Sequence, residues 1–178
     1  MQSSSDETDQ WRYSAAIASL QTGESRIVDE IGHSIFDPRG ARCSCGRRGC
    51  LEAIASLDII RRAISRSTHR PLSRLTVPVI ARMLDEGNRS ARAVARNAAR
   101  AVGLVVANLV DVVNPSHVVI SGETARLGPF FQQALDEAPT EFVIPIFREK
   151  LRLAPTRWGD DVALLGAAVG VFQTVLDL

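Results

Sequence analysis

Cysteine is scarce in this chain of 178 residues: there are three, all between positions 43 and 50. An odd count suggests no disulfide framework, so a reducing cytoplasm is the expected compartment. No apolar run reads as a membrane span, and the opening MQSSSDETDQ is polar and acidic, so neither a signal peptide nor a membrane partner is expected. An excess of one charge is lacking too: the net charge of +1 leaves no overall nucleic-acid footprint. No internal repeat is present. What is there, 46% hydrophobic and 23% charged residues, is the composition of an ordinary soluble globular protein. The length suits one large domain or two small ones with a sizeable buried core.

The charge is unevenly spread. Residues 61–100 hold ten arginines against Asp85 and Glu86, a local balance of +8 that leaves the rest of the chain near −7. Arg89, Arg92, Arg96 and Arg100 recur at helical spacing and form one polar stripe. A solvated helix face accounts for it. A phosphate-contacting strip is the sharper reading, but no aromatic residues interleave with the arginines to support one.

Along the chain, residues 1–10 have the composition of a disordered segment. A strand is predicted at 11–20, a turn around Gly23, then a return strand with an irregular exit through His33 to Asp37. The DPRG at 37–40 is a turn signal. From Cys50, CLEAIASLDIIRRAIS reads as one amphipathic helix, followed by a linker through Pro71. TVPVIARMLDEG is a short helix with Thr76 as candidate N-cap and Gly87 just past its end. The longest helical pattern runs from Asn88 to Asn114, its second half almost wholly apolar and expected to be buried all round, and Pro115 stops it. HVVIS reads as a short buried strand, GPFFQQALDEA as a helix, LRLAP as a strand and 160–178 as a closing helix. Long helices alternating with short apolar strands indicate an α/β layered fold.

The three cysteines sit in EIGHSIFDPRGARCSCGRRGC, with the spacing His-x9-Cys-x-Cys-x4-Cys. His33, Cys43, Cys45 and Cys50 are the ligand set of a closed tetrahedral zinc site, which points to a structural ion with no open position for catalysis. Gly46 and Gly49 fall where the chain must turn sharply to return sulfur to the metal. Arg42, Arg47 and Arg48 crowd the thiolates and offset their charge. Two carboxylates flank the loop: Glu30 lies three residues before His33 and Glu52 two after Cys50. Carboxylates accept from paired hydroxyls such as those of a sugar ring, and a metal-bound His33 would present a fixed N–H. By spacing alone, Glu30 and Glu52 are equally well read as solvated surface acids.

This stretch, from Glu30 through CLEAIAS, resembles the signature of the ROK family, which groups sugar-responsive bacterial repressors with sugar kinases. NLVDVVNPSHVVISGE resembles the family's asparagine-proline turn and following strand, and LLGAAVGVF its terminal helix. The likeness covers most of 23–178, the C-terminal half of a typical member. It implies the actin-like (ribonuclease H-like) sugar-kinase fold, zinc at His33, Cys43, Cys45 and Cys50, and a sugar or amino sugar at Glu30, His33 and Glu52.

Family kinases carry an N-terminal lobe with a phosphate motif and a catalytic aspartate, for which this chain has no room, so no catalytic residue is expected. No glycine precedes Gly23, and SGET at 121–124 has one glycine where kinases usually show a run. That resembles the repressor branch, although 1–22 is too short for a helix-turn-helix. The expectation is therefore a fragment or shortened member. Residues 11–178 would form the effector-sensing and oligomerisation domain of a ROK-type regulator, reaching DNA only through a domain absent here. The alternative is the C-terminal half of a ROK sugar kinase.

Overall fold

The computed structural model describes residues 31–156. The segment at 1–10, the strand at 11–20, the turn around Gly23 and the closing helix at 160–178 lie outside the described residues, as does Glu30.

Two helices, α1 (Glu52–Ala55) and α2 (Leu57–Thr68), replace the single helix predicted from Cys50 onward. Ser56 separates them in an extended conformation, φ −65° and ψ 149°. A serine hydroxyl competes with helical hydrogen bonding, so it favours the boundary position. The Ser56 carbonyl accepts the first bond of α2, from the Ile60 N–H at 3.0 Å. Ile60 and Ile64 then point fully into the core.

Helix α3 (Val77–Asp85) begins after Thr76 as predicted, although no side-chain hydrogen bond caps it. Pro78 sits in its first turn, where a missing N–H costs nothing. Helix α4 (Arg89–Val113) starts under Asn88, whose side chain accepts from the Ala91 N–H at 2.9 Å. It ends at Asn114 in the left-handed region, φ 51°, with Pro115 preventing continuation.

By length and composition α4 could cross a membrane. Its buried face is nonetheless a run of small residues, including Ala91, Ala95, Ala98, Ala99, Gly103 and Ala107, packed inside the protein. They let α5 (Pro129–Phe142) approach closely. A Cβ added at Gly103 would overlap that of Ala138 and lie 2.9 Å from the Ala138 carbonyl carbon. The end of α4 departs from the expected burial: Leu109, Val112 and Val113 are exposed, Val112 at 84%.

Three of the four arginines in the α4 stripe are engaged by neighbouring elements. Arg92 and Arg96 stand over the Phe130 ring, 4.6 and 5.1 Å from its centroid, and Arg100 stands 4.9 Å from that of Phe142. Both rings come from α5, so the aromatics missing beside the stripe in sequence are supplied by its packing partner. Arg100 also makes a two-armed pair with Glu141, at 2.7 and 3.2 Å. Arg92 reaches the other way, donating to the carbonyls of Leu84 at 2.7 Å and Asp85 at 3.3 Å, at the C-terminal end of α3.

Strands β1 (His117–Ile120) and β2 (Arg152–Pro155) pair in parallel, with His117 opposite Arg152 and Ile120 opposite Pro155. The parallel crossover contains α5 and the short α6 (Pro145–Arg148), which makes a β–α–β unit and establishes the α/β class. Strand β1 is less buried than predicted: Val119 is 56% exposed.

Candidate metal centre

The loop carrying the cysteines has little apolar content, and backbone hydrogen bonds give it shape. Asp37 and Gly40 close the DPRG turn, Gly40 N–H to Asp37 O at 2.7 Å. Ala41 to Gly49 then folds as a small hairpin, with Gly49 N–H to Ala41 O at 2.8 Å and Cys43 N–H to Arg47 O at 2.8 Å. The hairpin docks on the segment after His33 through Phe36 N–H to Gly49 O at 2.7 Å and Leu51 N–H to Ser34 O at 2.9 Å. Gly46 and Gly49 both take positive φ, 89° and 70°, as the sharp return requires. At Gly49 a second constraint applies, because a Cβ there would land on the Asp37 carbonyl oxygen.

This scaffold brings the four predicted ligands together. One donor atom from each of His33, Cys43, Cys45 and Cys50 lies within 4.8 Å of the others. His33 Nδ1 is 3.7 Å from Cys43 Sγ, and the sulfurs of Cys45 and Cys50 are 3.6 Å apart. Tetrahedral Zn–S bonds of about 2.3 Å place neighbouring sulfurs about 3.8 Å apart, so both spacings fit a four-coordinate ion. Cys50 is fully buried, Cys43 nearly so, and Cys45 faces solvent. A cluster of one imidazole and three thiols, with a buried inner side, could hold a metal ion and leaves no position among those four for substrate.

The thiols differ in acidity. Cys45 is lowered to about 6, first by the backbone N–H of Arg47 and then by its guanidinium. Cys50 is raised to about 11 by its burial, and further by sharing hydrogen bonds with the thiols of Cys45 and Cys43. Bound metal would take the proton's place at each sulfur. Of the three arginines expected around the thiolates, Arg47 is the one that acts on them. Its guanidinium also donates to the His33 carbonyl at 2.8 Å, tying the hairpin to the histidine. Arg48 instead reaches the Gly40 carbonyl at 3.4 Å, and Arg42 pairs with Arg48 through the backbone.

Glu52, the first residue of α1, leans back over the cluster. Its Oε1 accepts from the Ser44 hydroxyl at 3.0 Å and lies 3.9 Å from Cys43 Sγ, while Oε2 is 3.9 Å from His33 Nδ1. The carboxylate is therefore set beside the histidine and still half-exposed. Ser44 was not singled out from sequence. An isolated serine between two cysteines carries no periodic or spacing signal, and the turn at Gly46 is what carries it back to Glu52. The predicted partner Glu30 lies outside the described residues.

The ROK family profile matches residues 17–173. The N-acetylmannosamine kinase of Haemophilus influenzae is 34% identical over 161 residues, covering 89% of this chain and 50% of that protein. The DNA-binding transcriptional repressor Mlc of Escherichia coli is 27% identical, covering 84% of this chain and 38% of the repressor. Among solved structures, the ROK hexokinase of Thermus thermophilus superposes with a TM-score of 0.72 at 33% identity, covering 84% of this chain and 49% of that one. The chain thus spans about half the length of the kinase relatives it matches, and it has the actin-like fold of the sugar kinases. Kinases and a repressor stand together among its relatives, and the chain belongs to the ROK family.

Proposed function

We propose that residues 11–178 form the sugar-sensing and oligomerisation domain of a ROK-type transcriptional regulator, with a structural zinc ion on His33, Cys43, Cys45 and Cys50. The observation that carries the sugar reading is the Glu52 carboxylate, anchored by Ser44 and held beside His33. Zinc on Nδ1 would place the ring proton on Nε2, a donor of fixed orientation, while Glu52 and Glu30 accept from hydroxyls of the same ring. The metal is one step removed from the sugar: it shapes the hairpin that positions Ser44, and through Ser44 the carboxylate. Relatives named for glucose and N-acetylmannosamine support a sugar or amino sugar as effector.

The regulator reading rests on the turn after β1. Gly122, at φ 96°, leads into a single helical turn, Glu123–Arg126, with Glu123 4.0 Å from Arg126. The exit SGET carries this one glycine where kinases of the family usually show a run, which supports the repressor branch. The kinase relatives support the rival reading, part of an ATP-dependent sugar kinase. Oligomerisation is supported by the exposed apolar end of α4, and a cytoplasmic location by the free thiols.

Calorimetry with glucose and N-acetylmannosamine, metal analysis and a coupled assay with Mg·ATP test these statements together. The expected result is one zinc per chain, saturable sugar binding and no phosphorylation. Turnover above background would overturn the regulator reading; absence of binding at millimolar sugar would overturn the sensing role. If Cys45→Ser lost its zinc and bound sugar like the parent, the zinc–sugar coupling would be wrong.

A further inference from the structure

An open cavity of about 540 Å³ lies between the connector that follows α2 and the face of α3, away in sequence from the metal loop. It is lined by Arg70, Arg74, Val79, Arg82, Met83 and Glu86. We infer that this cavity is a binding site for a small phosphomonoester, with the arginines on the phosphate and the Val79–Met83 wall against its organic part.

Arginines on a surface helix are ordinarily solvated, and several others on this molecule have found carboxylates. Arg62 pairs with Asp58 at 2.6 Å, Arg100 with Glu141 at 2.7 Å, and Arg126 with Glu123 at 4.0 Å. Arg70, Arg74 and Arg82 form no ion pair with a carboxylate among the described residues, although Arg82 and Glu86 are one helical turn apart. All three line one concavity, and among the described residues lining it Glu86 is the one carboxylate. The resulting +2 matches a phosphomonoester dianion, and guanidinium forks match phosphate oxygens in geometry.

The frame that carries them is held in place. Arg61, on α2, spends its guanidinium on the connector, donating to the carbonyls of Leu75 at 2.8 Å and Leu72 at 3.1 Å. The Ser65 hydroxyl donates to the Arg70 carbonyl at 2.6 Å, and Leu75 is fully buried beneath. Arg70 and Arg74 are thus presented from a clamped segment, and Arg82 from the rigid helix opposite. Phosphate alone would occupy a small part of this volume, which falls in the range of ligand sites, about 300–1,000 Å³. Met83 is buried and Val79 partly so, giving an apolar surface for the rest of the molecule. Among the described residues no aromatic lines the cavity for base stacking, which disfavours single-stranded nucleic acid as the occupant.

Calorimetry with the zinc-loaded full chain tests the assignment, using glucose 6-phosphate, glucose and single-stranded DNA as probes. Glucose 6-phosphate should bind, and Arg74→Gln with Arg82→Gln should weaken it at least about tenfold, the loss expected for charge-assisted bonds. All three positions are exposed, so circular dichroism should show the fold retained. Arg66→Gln, an exposed arginine of α2 that does not line the cavity, should leave affinity within about twofold. Glu52→Gln, which disables the proposed sugar site, should leave glucose 6-phosphate bound at the arginine cavity while glucose binding falls. Four results would each overturn the inference: no binding at 10 mM probe (about the weakest useful affinity), equal losses in Arg66→Gln and the double variant, loss of phosphoester binding in Glu52→Gln alone, or binding of single-stranded DNA with none of the phosphoester.

Discussion

Alanine substitution at the two loop glycines separates backbone strain from steric collision within one metal site. Both have positive φ, 89° at Gly46 and 70° at Gly49, so an alanine at either pays about 1–2 kcal/mol for the left-handed region. At Gly46 no atom of the described residues outside its chain neighbours lies within 4 Å of the added Cβ, and the cost ends there. At Gly49 the Cβ would land on the Asp37 carbonyl oxygen, a backbone atom that cannot swing aside. The docking of the hairpin must open, which loses Phe36 N–H to Gly49 O at 2.7 Å and endangers Gly49 N–H to Ala41 O at 2.8 Å. At about 1 kcal/mol per bond, the Gly49 total is about 3–4 kcal/mol. Cys50 follows directly, so this cost falls on the loop that would hold the metal. Gly46→Ala should weaken zinc by about tenfold and Gly49→Ala by about two to three orders of magnitude. The gain from a stiffer unfolded chain is common to both and cancels in the comparison. Competition against a chromogenic chelator gives the two affinities directly. Equal losses, or a Gly49→Ala protein with near-parental affinity, would refute the hairpin geometry as the determinant of the site.

Ser44→Ala should leave zinc stoichiometry unchanged and weaken sugar binding, because Glu52 loses its anchor; calorimetry beside metal analysis reads both. Gly103→Ala should lose about 1–3 kcal/mol in urea denaturation despite better helix propensity, because overpacking against Ala138 outweighs the gain. Ala138→Gly in the same chain should recover part of that loss, and strict additivity would count against the close contact. Arg100→Ala should destabilise more than Glu141→Ala, since it also removes the stack on Phe142. The Glu141 carboxyl is held below its ordinary value by hydrogen bonding to Arg100. Its contribution is therefore present above the unfolded carboxyl range and lost as pH falls through the folded value, a dependence that Arg100→Ala should flatten.

Much of the helix plan was legible because its signals are local. Asn88 and Asn114 bound α4 by capping chemistry, and Pro115 removes the option of continuing. The break at Ser56 was not legible: the apolar spacing from Leu51 to Ile64 runs across it as though one helix were present, and burial of Ile60 and Ile64 follows from re-aiming the chain. The helix read as GPFFQQALDEA ends at Ala138 in the sequence analysis, whereas α5 runs through Pro139 to Phe142. Packing of its last turn, with Phe142 against Arg100, offsets the local preference.

The amino-acid sequence by itself determined the members of the histidine–cysteine cluster, the sharp turns that bring them round and the order of the main helices. Each depends on residue chemistry or on backbone freedom within a few positions. Only the tertiary structure decided what the arginines are for. Arg96 and Arg100 look alike on a helical projection, yet Arg96 lies over Phe130 while Arg100 lies over Phe142 and pairs with Glu141. Arg74 and Arg82, from the connector and from α3, line the same cavity. Ser44 reaches Glu52 in the same way, through a turn that folds back on itself. Long side chains take their partners from whichever element packs beside them, and that choice is set by the small-residue face of α4 and the docking of the hairpin, not by periodicity along the chain.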